Sequence, residues 1–209
     1  MESNRAIINL IKEDKAKKLN LSIMKLSEEE NLQLCDALEG NKSVEAVYLT
    51  NLSDNRKIYE AIKKQNKISF INVENKLGID SNRLDEDILY LSDLMRCNSS
   101  IVILNVKNFY LNESVMQLCQ ALSENKENKV KRLILNNNRI GDKGVLYIMN
   151  YLKEEHCCLK KLELIGNELE NEGMNVISDN IKFSKLEDLN ICYNNISTIR
   201  PELFGSLHF

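Results

Sequence analysis

The sequence has no tryptophan, a single proline (Pro201) and only two histidines, His156 and His208. With one proline and no Pro-, Gly- or Ser-rich stretch, nothing reads as a linker, so one domain over residues 1–209 is expected. The histidines supply neither a His-x-x-x-His spacing nor a Ser/His/Asp set, and no Gly-rich phosphate loop occurs. His156-Cys157-Cys158 is the one cluster of soft ligands. Three adjacent residues cannot close a tetrahedral zinc site, which takes ligand pairs spaced by about two to four residues. No metal, no cofactor and no catalytic residue is expected, and the protein is not read as an enzyme.

Long apolar runs are also missing. No window approaches the roughly 18–20 apolar residues of a membrane span. The opening MESNRAIINLIKEDKAKK has too short and interrupted an apolar part for a signal peptide. Charge of one sign is lacking too: 28 basic residues face 31 acidic ones, a net charge of −3. The basic residues are diluted by acids and not interleaved with aromatics, so neither nucleic acid nor membrane is expected as a partner. Six cysteines scattered through a chain with no secretion signal read as reduced thiols in a cytoplasmic protein. Asn-x-Ser triplets such as those at Asn41, Asn51, Asn98, Asn112 and Asn195 read as chance in an Asn-rich chain.

What the chain does have is a repeat. VKRLILNNNRIGDKG, from Val130 to Gly144, returns 29 residues later as LKKLELIGNELENEG, from Leu159 to Gly173. Both carry apolar residues at positions 1, 4, 6 and 11, Asn at 9 and Gly at 15. Leu133 and Leu135, like Leu162 and Leu164, alternate with residues facing the other way, which predicts a short strand with one buried face. Asn138 and Asn167 stand where the chain turns out of the strand; a carboxamide there offers both a donor and an acceptor to backbone groups that need them. Val145, Ile148 and Leu152, and then Met174, Ile177 and Ile181, follow at helical spacing. Each unit is strand, turn, helix, and such units bury their apolar side only by stacking.

Looser copies fill the rest of the chain. Position 1 falls at Ala16, Val44, Ile68, Ile101, Val130, Leu159 and Leu186, giving spacings of 28, 24, 33, 29, 29 and 27. Position 9 is Asn only in the last three units; earlier it is Met24, Leu52, Lys76 and Phe109. Residues 1–15, with Ser3 or Asn4 as a helix cap and Ile7, Ile8 and Ile11 inward, read as a covering helix. Residues 16–197 hold seven repeats, and 198–209 read as a C-terminal cover or partial repeat, with Leu203, Phe204 and Leu207 shielding the last strand. With these spacings and positions, roughly residues 16–200 resemble the ribonuclease-inhibitor-like subfamily of leucine-rich-repeat proteins. The resemblance implies an α/β horseshoe solenoid of about seven units, with a parallel β-sheet on the concave face and α-helices on the convex face.

In such a sheet, positions 3, 5 and 7 form one continuous open surface. Position 3 reads Lys18, Ala46, Phe70, Ile103, Arg132, Lys161, Asp188, and position 5 reads Asn20, Tyr48, Asn72, Asn105, Ile134, Glu163, Asn190. Phe70, Ile103, Ile134, Ile165 and Tyr193 step diagonally across it, with Tyr48 at the near end and Asn72 and Asn105 between. Lys107, Arg132, Lys161 and Glu163 rim this track. Desolvated anchors inside charged flanks suit a protein-binding site, so these twelve residues are the candidate contacts of a polypeptide partner. A non-catalytic, monomeric interaction module is expected. The Asn, Lys and Ile excess suggests an AT-rich genome, and the chain resembles leucine-rich-repeat effectors that intracellular bacterial pathogens deliver into host cells by a specialised secretion system. Two alternatives are a regulator of a small GTPase, for which no residue carries over, and the ligand-binding arm of a larger sensor.

Overall fold

Every strand the alternation predicts is present, and the seven pair in chain order. The computed structural model describes residues 2–50, 56–75 and 81–198. The strands are β1 (Lys18–Asn20), β2 (Ala46–Thr50), β3 (Phe70–Glu74), β4 (Ile103–Lys107), β5 (Arg132–Ile134), β6 (Lys161–Glu163) and β7 (Asp188–Asn190). They form one parallel sheet in the order β1 to β7. Parallel neighbours need a crossover, and each crossover here contains a helix. These are α2 (Glu28–Glu39), α3 (Arg56–Lys63), α4 (Ser81–Cys97), α5 (Val115–Glu124), α6 (Gly141–Leu152) and α7 (Asn171–Asn180), each packed on the next. This is a leucine-rich-repeat solenoid.

The register is the one the sequence implies. Phe70 pairs with Ile103, Ile103 with Arg132, Arg132 with Lys161 and Lys161 with Asp188. The inward rows Val47, Ile71, Leu104, Leu133, Leu162 and Leu189 and the helix rows Leu34, Ile58, Leu118, Ile148 and Ile177 are all buried. They meet in one apolar layer between sheet and helices.

The turn Asn residues form a ladder. The Asn138 carboxamide donates to the Val106 carbonyl (2.8 Å) and accepts the Phe109 N–H (2.7 Å). Asn167 repeats this with the Leu135 carbonyl (2.8 Å) and the Asn138 N–H (3.0 Å). Asn194 follows with the Leu164 carbonyl (2.9 Å) and the Asn167 N–H (2.8 Å). One unit earlier Phe109 fills the position as a buried plug. Leu52 and Lys76, and the tail with Leu203, Phe204 and Leu207, lie outside the described residues.

Several local readings change. Helix α1 (Glu2–Lys12) begins before Asn4, so Asn4 is not its cap. The buried Asn4 amide instead donates to the Lys25 carbonyl (3.0 Å) and the Glu30 carboxylate (3.3 Å), tying α1 to α2. Gly144 and Gly173, at position 15 of the repeat, lie in the first turns of α6 and α7. A Cβ on Gly144 would collide with the Ile140 side chain of its own unit and stand 3.2 Å from both the Asn112 carbonyl and a Val115 methyl of the unit before, so glycine there allows close packing within and between units.

Two of the Asn-x-Ser triplets are structural. The Asn41 amide donates to the Ile11 carbonyl (2.6 Å) while its oxygen accepts the Val44 N–H (2.7 Å). Asn98 does the same with the Gln65 carbonyl (2.8 Å) and the Ile101 N–H (3.3 Å). Ser43 and Ser100 donate to the Ala16 and Ile68 carbonyls, both at 2.7 Å. These side chains thus bind carbonyls of the preceding unit, at and after its helix end for Ile11 and Gln65 and just before its strand for Ala16 and Ile68. His156 stands at the equivalent place, three residues before position 1, with Nε2 3.4 Å from the Leu122 carbonyl.

Candidate protein-binding surface

Helices cover one side of the sheet, so positions 3, 5 and 7 are displayed on the other. At its near end Tyr48 and Phe70 pack ring against ring with centroids 5.2 Å apart. Phe70, Ile103 and Ile165 are partly exposed. Ile134 is different. It occupies the expected place in the register, between Asn105 and Glu163, but is only 7% exposed. It is part of the floor and not a protruding anchor. Alternation fixes which face a side chain takes, but not how far its neighbours overgrow it. Ala46 and Asn136 are also buried on this side.

The polar residues divide the surface. Across β5 to β7 the charges are paired with one another. Arg132 holds Glu163 through Nη2 (2.6 Å) and Nε (3.2 Å), and Lys161 meets Asp188 at 3.1 Å. The Asn136 amide donates to the second Glu163 oxygen (3.1 Å) and its own oxygen accepts the Ile165 N–H (3.0 Å). Across β3 and β4, Asn105 donates to the Asn72 side-chain oxygen at 2.7 Å. Glu74 and Lys107 are register partners that form no ion pair; Glu74 instead accepts from the Asn108 amide at 3.4 Å.

Tyr193 is the outlier. The chain leaves the last four strands through a left-handed residue at position 8: Asn108 (φ 63°), Asn137 (φ 58°), Gly166 (φ 65°) and Tyr193 (φ 57°). Asn and Gly tolerate this conformation; a tyrosine there is strained. Its side chain is 89% exposed, so burial does not offset the strain. Two residues further on in the earlier units, Tyr110 (φ 50°), Arg139 (φ 51°) and Glu168 (φ 60°) are left-handed as well.

The sequence reading missed two features. Tyr110 and Arg139 stack at 4.4 Å on the neighbouring turns, and Arg139 also reaches Glu168 at 3.2 Å. On the outer helix face Leu89, Met116 and Leu146 are exposed on the successive helices α4, α5 and α6. Aligning helix positions between units, as was done for the strands, would have found the second.

Cys35, Cys119 and Cys157 are buried thiols. Burial pushes the Cys119 thiol up to about 12 and raises Cys157 and Cys35 as well. A thiol so shifted stays protonated and is a poor nucleophile. Among the described residues no group of three or more His, Cys, Asp or Glu side chains is placed to hold a metal ion. None of the described helices is long and apolar enough to cross a membrane.

The profile of the family described as Leucine Rich repeat matches residues 127–149 and 155–178. Two of the seven units thus carry the leucine-rich-repeat pattern recognisably. The matched segments contain β5 with the start of α6, and β6 with most of α7, the two most regular units. No curated protein matches the chain. Leucine-rich repeats are commonly protein-binding scaffolds.

Proposed function

We propose that the protein binds a polypeptide on the open face of its sheet and carries out no catalysis. The observation that carries this reading is the set of partly or fully exposed apolar side chains on and beside the sheet: the Tyr48–Phe70 ring pair, Ile103, Ile165 and the strained Tyr193. Asn72, Asn105, Lys107, Arg132, Lys161 and Glu163 flank them, and Ile134 supports them from beneath. Exposed apolar residues among polar ones are the composition of an interface core and rim. The finer reading is a leucine-rich-repeat effector of an intracellular bacterium, acting on a host protein. It rests on the architecture and the Asn, Lys and Ile excess.

The test is affinity capture from eukaryotic lysate, read by mass spectrometry, with wild type beside a Phe70→Ala/Ile103→Ala/Tyr193→Ala variant. Ile134 is left intact because it is buried. A protein enriched by wild type and lost with the variant supports the open-face reading. Equal enrichment by both removes it.

A further inference from the structure

Strands β3 and β4 display a three-row patch. Their register sets Phe70 beside Ile103, Asn72 beside Asn105, and Glu74 beside Lys107. Rows two residues apart along a strand are separated by about 6.7 Å. The patch thus changes along the strands from apolar, through carboxamide, to charged. An extended peptide lying along the strands has the same period in its alternate side chains.

Three details fix what it would take. Asn105 is 7% exposed and donates to Asn72 Oδ1, which leaves the Asn72 amide group as the outward donor of the pair. That amide group has no protein partner among the described residues, and Asn72 is partly exposed. Lys107 has no ion-pair partner among the described residues, whereas Arg132 and Lys161 on the next strands are both engaged. Glu74, the nearest carboxylate in the register, is held by Asn108. An unneutralised ammonium and an oriented amide donor both call for acceptors.

We propose that this patch docks an extended acidic peptide. It carries an apolar side chain on Phe70 and Ile103, a hydrogen-bond acceptor against Asn72, and an Asp or Glu against Lys107, at alternate residues. The proposal rests on the open face being the binding surface and narrows it to β3 and β4. The pair Asn105–Asn72 positions the donor, because the next residue of that row, Ile134, cannot continue an amide chain. Asn105 Oδ1 is accordingly buried without a partner.

The probe is a random 12-residue peptide library displayed on phage and selected on the full chain. Selected peptides are then measured against Lys107→Ala, Lys107→Glu, Asn72→Ala and Lys161→Ala variants. The expected peptides have the apolar–x–acceptor–x–acid pattern. Their affinity falls about tenfold with Lys107→Glu, less with Lys107→Ala and Asn72→Ala, and within about twofold with Lys161→Ala. Peptides without acidic residues, or indifferent to Lys107→Glu yet lost with the Phe70/Ile103/Tyr193 variant, overturn the proposal while the open-face reading stands. No selected peptide at all also overturns it. The wider reading falls only if a captured protein partner ignores that triple variant as well.

Discussion

Asn167 receives the backbone N–H of Asn138 on its side-chain oxygen at 3.0 Å, and with its amide donates to the Leu135 carbonyl at 2.8 Å. One fully buried side chain therefore closes the turn of its own unit onto the unit before it. Asn167→Ala leaves both backbone groups buried without partners. Each such group costs about 1–3 kcal/mol, so a loss of roughly 2–6 kcal/mol is expected in urea denaturation. Asn194, half-exposed at the last unit, should cost less when replaced the same way. Equal losses at the two positions would mean that burial does not set the value of the ladder.

Glycine in a helix ordinarily invites replacement by alanine, a gain of about 1 kcal/mol. At Gly144 the opposite is expected. The added methyl would collide with the Ile140 side chain of its own unit and press on the Asn112 carbonyl and Val115 of the preceding unit, both at 3.2 Å. Overpacking of that kind costs about 1–3 kcal/mol. Gly144→Ala should lower the denaturation midpoint; a raised midpoint would show that the units can move apart at no cost.

The start of α2 is sensitive to acid. The Ser27 N–H donates to the Glu30 carboxylate (2.9 Å) and Asn4 adds a second bond (3.3 Å). These bonds, the Ser27 one first, hold the Glu30 carboxyl below its ordinary value of 4.5, against a smaller opposing effect of burial. A carboxyl with a depressed folded value stabilises the fold above its unfolded value, and that stability disappears as pH falls through the folded one. Glu30→Gln should therefore be less stable than wild type at pH 7. The gap should narrow below about pH 4.5, as followed by thermal melts across pH. A gap that stays constant with pH would assign the effect to shape and not to charge.

Tyr193 and its equivalents allow a different test. Tyr193→Asn places at φ 57° a residue that the same position already carries as Asn108 and Asn137. Because the ring is exposed, little burial is lost. A gain of roughly 0.5–1 kcal/mol in stability is expected. Partner binding should weaken. Reduced stability would show that the ring supports the last unit.

Much of this was legible because the repeat imposes two periods that one sequence displays plainly. Leu133 and Leu135 fixed the face of β5, and aligning the units carried that face to Ala16 and Leu186, which gave the observed register. Depth was not legible. Ile134 and Ile103 occupy equivalent faces, yet one is sunk and the other partly exposed, because exposure depends on the side chains packed around each. The Asn-x-Ser triplets at Asn41 and Asn98 were visible but read as chance; their meaning depends on a carbonyl some thirty residues earlier, at Ile11 and Gln65. The pairing of Arg132 with Glu163 was likewise hidden, since any rim charge in a sequence looks free.

Two surfaces compete for a partner: the open sheet face with Phe70 and Tyr193, and the helix face with Leu89, Met116 and Leu146. Hydroxyl-radical footprinting of the captured complex separates them, because aromatic rings and methionine sulfur report strongly. Partner-dependent protection of Tyr48, Phe70 and Tyr193, with Met116 equally oxidised in free and bound protein, is the predicted result. Protection of Met116 and Leu146 with the open face unchanged would place the partner on the helices and contradict the account.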